Sequence, residues 1–281
     1  VAMDVVEAAP VLGVVLHALG GLAAGSFYAP TKKVKSWAWE SYWIALGFFA
    51  WIVVPPIVAS LFIPAFGEVL RTAPAGPLGM AFLFGALWGI GAITFGLSVR
   101  YLGMSLGFAI SLGFCAAFGT LIPPLVDGSF IELLRTASGW TTLGGIALCL
   151  GGIAVCGRAG MFKDKALTGE QAATEEFNFS KGVVVAVFAG IMSACMSFAF
   201  KAGAPVQRHA VELGVQQMRS NIPVLVVILW GGFLTNFIWC LYLGRSNGTL
   251  KDFADRTAPR LRNWLLCALA GTLWYFQFFF Y

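Results

Sequence analysis

The chain has 281 residues, of which 59% are apolar and only 11% are charged. A soluble domain carries about 25% charged residues, so these proportions argue against an ordinary soluble globule, and the apolar content excludes a disordered chain. The net charge of +5 would suit a nucleic-acid-binding surface. However, the basic residues lie between apolar runs and no nucleic-acid-binding motif is present, so membrane topology explains them better.

Eight apolar segments predict membrane-spanning helices, because a span needs about 20 apolar residues and several segments exceed 18 without a charge. In chain order they are Val11–Ala29, Tyr42–Ile63, Leu78–Val99, Met104–Val126, Trp140–Gly157, Gly182–Ala204, Ile222–Leu243 and Trp264–Tyr281. We therefore expect an all-α polytopic membrane protein.

The basic residues predict the orientation of these spans. The odd-numbered connections hold 13 of the 18 lysines and arginines, among them Lys32, Lys33 and Lys35, and the even-numbered connections hold 5. Cytoplasmic loops carry the excess of positive charge. The odd connections are expected in the cytoplasm, with the N-terminus on the external side of the membrane.

Similar motifs in the two halves predict an internal repeat. Gly85-Ala86-Leu87-Trp88 in the third span matches Gly271-Thr272-Leu273-Trp274 in the eighth, and small residues fill similar places in the first and sixth spans. Five spans per repeat is an odd number, so the second copy enters the membrane from the opposite side, as in many secondary transporters. The alternative is that small-residue patterns recur in any packed bundle.

The repeat predicts a division of the chain into three parts. Residues 1–160 form the first repeat with helices 1–5, residues 161–181 a cytoplasmic linker, and residues 182–281 the second repeat with helices 6–8. Two further spans are expected after Tyr281 to complete the second copy.

Several sequence blocks carry a family resemblance. They are Phe27-Tyr28-Ala29-Pro30 with Lys32-Lys33-Val34-Lys35 and Trp37-x-Trp39-Glu40, then Trp88-Gly89-Ile90-Gly91 and Arg100-Tyr101-Leu102-Gly103-Met104-Ser105, then Met196-Ser197-Phe198-Ala199, and Trp274-Tyr275 with Gln277-Phe278-Phe279-Phe280-Tyr281. In these blocks the chain resembles the bacterial L-rhamnose–proton symporter family of the drug/metabolite transporter superfamily. The resemblance implies ten spans in two five-helix repeats and proton-driven sugar uptake. The alternatives are transport of another small solute, or a non-transporting membrane sensor or scaffold.

A sugar site needs hydrogen-bonding groups and an aromatic surface inside a cavity, and polar side chains within a span usually face the bundle interior. The candidates are Tyr28, Trp88, Thr94, Asn236, Trp274, Tyr275 and Gln277. Trp88 and Trp274 occupy matching places in the two repeats and are expected to face one shared cavity. The alternative roles are packing for the aromatics, a bond to its own helix for Thr94, and helix–helix hydrogen bonding for Asn236 and Gln277.

Proton coupling needs a side chain that gains and loses a proton. His17 is the ionisable residue well inside a predicted span, and histidine titrates nearest neutrality. Glu40 begins the second span behind two tryptophans and is the second candidate. The alternatives are a neutral, hydrogen-bonded His17, and a Glu40 paired at the surface with Lys32, Lys33 or Lys35.

No enzymatic function is predicted, because the chain lacks H-E-x-x-H, G-x-S-x-G and Walker A motifs. The six cysteines lie in or beside apolar runs without a C-x-x-C pair, which favours small buried apolar side chains over disulfides or metal ligands. No cofactor, metal or nucleic acid is expected. The predicted partners are a small sugar, protons and the lipid bilayer.

Overall fold

The computed structural model describes residues 10–166 and 178–280. Most of the predicted linker 161–181, and Tyr281 at the end of the eighth segment, lie outside these residues. The described α-helices are α1 (Pro10–Ser26), α2 (Tyr28–Thr31), α3 (Trp39–Gly47), α4 (Val54–Phe62), α5 (Phe66–Thr72), α6 (Ala75–Leu102), α7 (Met104–Asp127), α8 (Phe130–Leu134), α9 (Ala137–Ala166), α10 (Phe179–Ser193), α11 (Cys195–Ala202), α12 (Ala204–Glu212), α13 (Asn221–Asn247) and α14 (Arg260–Phe279).

Membrane-spanning character is confirmed for most of the predicted segments. In the described ranges, seven helical stretches are long and apolar enough to cross a bilayer. They correspond to the first seven predicted segments. The eighth segment lies on α14, but this helix also carries Arg262, Asn263 and Gln277 and is less apolar. The structure therefore supports an all-helical polytopic protein without confirming the eighth span.

Local sequence features explain several helix ends. Gly103 has a φ of 78° and separates α6 from α7 in a conformation that only glycine adopts readily. Gly128, with a φ of 77°, ends α7 in the left-handed conformation that commonly terminates helices. Asn178 caps α10 by accepting a hydrogen bond from the backbone N–H of Lys181.

The second span is interrupted by an irregular turn. Residues Phe48–Val53 form a π-helical turn between α3 and α4, and Pro55 and Pro56 follow at the start of α4. A proline lacks the N–H that would continue the hydrogen-bond ladder, so the regular helix is broken here. Turns of this kind frequently occur at functional sites.

The chain forms two compact units, and each combines residues from both halves of the sequence. The first unit contains the residues before Gly67 and those after Asn236, and the second is Gly67–Asn236. In the first unit α14 packs against α1, α2, α3, α4 and the π-helical turn. In the second unit α6 packs against α7, α10 and α11, and α7 also packs against α9.

Within each unit, hydrogen bonds join odd-numbered connections to odd-numbered ones and even-numbered connections to even-numbered ones. In the first unit the backbone N–H of Ala38, in the connection after α2, donates to Asp252 Oδ2, in the connection between α13 and α14. In the second, the backbone N–H of Asn178 donates to the carbonyl of Tyr101 at 2.9 Å, which joins the third connection to the fifth. Thr72 Oγ1 lies 2.7 Å from His209 Nε2, which joins the second connection to the sixth. Helices that alternate across a membrane produce this pattern.

Candidate functional site

The predicted site residues are divided between the two units. The first unit holds His17, Tyr28, Glu40, Trp274, Tyr275 and Gln277, and the second holds Trp88, Thr94 and Asn236. The two matched tryptophans therefore belong to different units, and both are buried. The shared cavity expected between them stays a prediction.

Glu40 lies in a buried polar site of the first unit. It is the second residue of α3, and its residue surface is only 6% exposed. Its Oε1 atom accepts hydrogen bonds from Asn247 Nδ2 at 2.9 Å and from Thr249 Oγ1 at 2.7 Å. These partners end α13 and begin the following turn, so the structure pairs Glu40 with neutral donors instead of a lysine.

The hydrogen bonds of Glu40 converge on one carboxyl oxygen. Asn247 and Thr249 both donate to Oε1 of Glu40. The start of α3 also places the carboxylate at the positive end of the helix dipole, and both effects stabilise the charged form. Glu40 is therefore a buried, ionisable side chain that is held by neutral donors.

His17 occupies a different environment from Glu40. It lies in α1 with an exposed side chain, and its Nδ1 atom is 2.9 Å from the carbonyl oxygen of Gly13, one turn earlier. Its depth within the span was predictable from the sequence, but the direction in which it points was not. Glu40 is thus buried and hydrogen-bonded to another helix, whereas His17 is exposed, and the role of both in proton coupling stays a prediction.

Aromatic side chains form a continuous cluster in the interior of the first unit. Trp274 packs edge-on against Trp51 at 5.2 Å between ring centroids, and Trp51 packs edge-on against Trp43 at 6.5 Å. Trp43 in turn stacks on Trp39 at 5.2 Å and on Tyr28 at 6.4 Å. The cluster joins the π-helical turn to α14, and its ring faces and indole N–H groups are the chemistry that binds sugars.

Tyr275 places a polar atom inside this unit. The residue is fully buried, and its hydroxyl has no hydrogen-bond partner among the described residues. A buried hydroxyl without a partner is destabilising by about 1–3 kcal/mol, so such an atom calls for a water or ligand. The close approach of α14 to α3 explains its position, because a Cβ on Gly271 would lie 2.6 Å from the carbonyl oxygen of Leu46. Tyr275 is therefore a sugar-site candidate of the first unit with a buried hydroxyl that has no partner among the described residues.

The polar candidates of the second unit already form protein hydrogen bonds. Thr94 Oγ1 donates to the carbonyls of Ile90 and Gly91 in its own helix. Asn236 is 2% exposed, and its Nδ2 donates to the carbonyl of Gly89 on α6 at 3.1 Å and to Gly232 in its own helix at 2.9 Å. These contacts are those of the packing alternatives. The role of Thr94 and Asn236 in sugar binding stays a prediction.

Two further candidates lie at close helix contacts. The ring of Trp88 covers Gly232, where a Cβ would lie 2.7 Å from the indole. Gln277 is half-buried in α14, and its backbone carbonyl lies beside Gly20 of α1. Both positions lie where two helices pack closely together.

Sequence inspection missed the polar partners of Glu40. Asn247 ends α13 and Thr249 begins the turn that follows it, 207 and 209 positions after Glu40 in the sequence. Their only sequence signal was the topology, which predicts that the first and seventh connections share one side of the membrane. Among the described residues no group of three or more histidine, cysteine, aspartate or glutamate side chains is arranged to hold a metal ion.

Comparison with known proteins agrees with a polytopic membrane protein. The family model described as L-rhamnose-proton symport protein (RhaT) matches residues 6–281. The chain belongs to this family. It is a family of symporters, so the chain is not classed as an enzyme.

Curated relatives match along nearly the whole chain. An L-rhamnose-proton symporter of Cronobacter sakazakii is 43% identical over 96% of this chain and 78% of its own length. Proteins of the same name from Mannheimia succiniciproducens and Yersinia pestis are each 41% identical over 96% of this chain, and over 78% and 79% of their own lengths. No solved structure matches the chain.

Proposed function

We propose that this protein imports L-rhamnose together with protons across the bacterial inner membrane. Membership of the symporter family carries the proposal, and the buried, ionisable Glu40 supports the proton-coupled part. The aromatic cluster and the unpartnered hydroxyl of Tyr275 support a sugar as the solute.

Each predicted site residue has a place in this proposal. Glu40 carries the proton, with His17 as the alternative carrier. The sugar-binding residues are Tyr28, Trp88, Thr94, Asn236, Trp274, Tyr275 and Gln277. The aromatic rings contact the apolar face of the sugar, and the polar atoms bind its hydroxyls.

Transport into proteoliposomes tests the function directly. We expect saturable uptake of labelled L-rhamnose that increases when an inward-directed proton gradient is imposed, with weaker competition from other sugars. Stronger competition by another sugar would identify that solute as the substrate. Uptake that is neither saturable nor gradient-dependent would favour a non-transporting sensor or scaffold.

We also propose the inverted-repeat architecture, with residues 1–160 and 182–281 as the two copies and 161–181 as the linker. Odd-numbered connections contact odd-numbered ones and even-numbered connections contact even-numbered ones, which supports a chain that crosses the membrane alternately.

The basic-residue asymmetry favours an external N-terminus. Cysteines placed at Lys33 and Arg71 test this in intact cells: an impermeant reagent should label Arg71→Cys and leave Lys33→Cys unlabelled. The opposite result would reverse the orientation.

A further inference from the structure

A second carboxylate, Asp252, lies beside the Glu40 site. Its Oδ2 atom accepts hydrogen bonds from the backbone N–H of Ala38 and from Ser41 Oγ, both at 2.8 Å. Ala38 is the N-cap residue of α3 and provides no side-chain cap of its own. Asp252 therefore supplies the cap of α3 from a distant segment, at the end of the helix that favours negative charge.

The turn that carries Asp252 also carries a donor to Glu40. This 3₁₀ turn, Thr249–Phe253, begins with the threonine whose hydroxyl bonds to Glu40. The carbonyl of Thr249 accepts a further bond from Ser41 Oγ at 3.2 Å. Asp252 and Thr249 therefore both bond to the start of α3. Asp252 bonds to Ala38 and Ser41, and Thr249 bonds to Glu40 and Ser41.

The segment that leads into α3 is fastened to the same region. The Asn263 side chain donates to the carbonyl of Lys35 at 2.7 Å and accepts from its N–H at 3.2 Å. Trp37 is 8% exposed and packs against Phe253 and Trp264, with centroids 5.2 and 5.6 Å away. These contacts define a docked segment, Lys35–Ser41, that holds α3 against the connection before α14.

Backbone conformation provides an independent sign that this docking is built into the fold. Ser36 has a φ of 60°, and among the described residues it is the only non-glycine with positive φ. Such a conformation is destabilising by about 1–2 kcal/mol for a non-glycine residue and persists only where its surroundings enforce it.

We propose that Asp252 is a positioning residue of the proton-coupling site. It keeps the first turn of α3 and the Thr249–Phe253 turn in the register in which Asn247 and Thr249 bond to Glu40. The proposal rests on the proposed role of Glu40 as proton carrier. Asp252 itself binds neither the sugar nor the transported proton.

Asp255 provides a matched control in the same connection. It is partly exposed, and its Oδ1 accepts from the hydroxyl and the backbone N–H of Thr257, at 2.7 and 2.8 Å. These bonds hold the pKa of Asp255 below its ordinary value. Asp255→Ala removes a carboxylate of the same connection without touching the docked segment.

Trypsin tests the docking without reference to transport, because Lys35 lies at the start of the docked segment. In purified protein, Asp252→Ala should be cleaved after Lys35 about tenfold faster than the parent, since local opening exposes the bond. Asp255→Ala should behave as the parent, and Asp252→Asn, which keeps an acceptor oxygen, should stay within about twofold of it. Equal cleavage of Asp252→Ala and parent would overturn the proposal. If Asp252→Ala yields no folded protein, Ser41→Ala serves as the second variant, because it removes one donor to Asp252. Ser41→Ala should increase the rate of cleavage after Lys35 about threefold. An unchanged rate would also overturn the proposal.

Reconstituted protein tests the link to coupling. Asp252→Ala should lower gradient-driven rhamnose accumulation about tenfold while counterflow exchange stays within about twofold, as expected for Glu40→Gln. The Glu40→Gln/Asp252→Ala double variant should be no worse than Glu40→Gln alone, since both act on one site. A purely structural role would lower accumulation and exchange in proportion and would overturn the positioning role. A parent protein without rhamnose uptake would instead overturn the proposed function, while the trypsin result would still report on the docking.

Discussion

The close contact between α6 and α13 in the second unit makes Gly85→Ala a sharp test of the packing. A Cβ on Gly85 would lie 2.8 Å from Cα and 2.9 Å from C of Ile228, and closer still to its carbonyl oxygen. Carbon atoms normally pack 3.5–4.0 Å apart, so the helices must separate by about 1 Å. That movement would also lengthen the 2.7 Å bond from Thr235 Oγ1 to the carbonyl of Ala86.

The expected loss of stability follows from two opposing effects. Overpacking destabilises by about 1–3 kcal/mol, whereas replacing a mid-helix glycine by alanine stabilises by about 0.5–1 kcal/mol. Gly85→Ala should therefore lose about 1–2 kcal/mol. Gly79→Ala, on the same helix with no atom within 4 Å of the added Cβ, should be neutral or slightly more stable.

Equilibrium unfolding in detergent, followed by tryptophan fluorescence, measures this difference. Gly85→Ala should unfold at a lower denaturant concentration than the parent, and Gly79→Ala at the same or a higher one. If the two variants agree within about 0.5 kcal/mol, the helices are not in the close contact described, and the interpretation of the glycine-rich α6 as a packing surface would be refuted.

Two further predictions concern side chains. Trp88→Ala and Trp274→Ala should each weaken rhamnose binding about tenfold or more through loss of aromatic contact, and binding like the parent in both folded variants would place the site elsewhere. Lys201→Met breaks an exposed ion pair with Asp127, whose N–O distance is 2.7 Å, and should cause little loss of stability, because solvent screens exposed ion pairs. A larger loss would show that this pair holds the ends of α7 and α11 together.

The spans were predictable because a bilayer imposes a strong and local requirement. Each helix must form hydrogen bonds among its own backbone groups and must present apolar side chains over about 20 residues. This pattern is visible in one segment at a time. The eighth segment shows the limit of that signal. Its helix α14 is buried by protein on many sides, so polar residues such as Asn263 are tolerated through hydrogen bonds to Lys35.

The partners of the predicted site residues were not predictable in this way. Glu40 bonds to side chains 207 and 209 positions later, and no local pattern encodes such pairs. Depth within a span favoured His17 as the proton carrier, but hydropathy does not determine which face of α1 it occupies. The basic-residue asymmetry gave partial information, because it predicted that the two connections forming the Glu40 site lie on one side of the membrane.

Substitutions at the strained residue Ser36 can either weaken the docking of the Lys35–Ser41 segment or relieve its backbone strain. Valine is disfavoured at a φ of 60° because its branched Cβ clashes with the backbone, whereas glycine adopts it freely. Ser36→Val should therefore undock the segment and be cleaved by trypsin after Lys35 several-fold faster, while Ser36→Gly should be cleaved no faster than the parent. Rates normalised to those of the denatured variants remove any direct effect on trypsin specificity. Because Ser36 is exposed, the two substitutions differ mainly in backbone preference. Equal cleavage of Ser36→Val and Ser36→Gly would mean that the contacts of Trp37 and Asp252 hold the segment regardless of the conformation at Ser36, and the strain argument would fail.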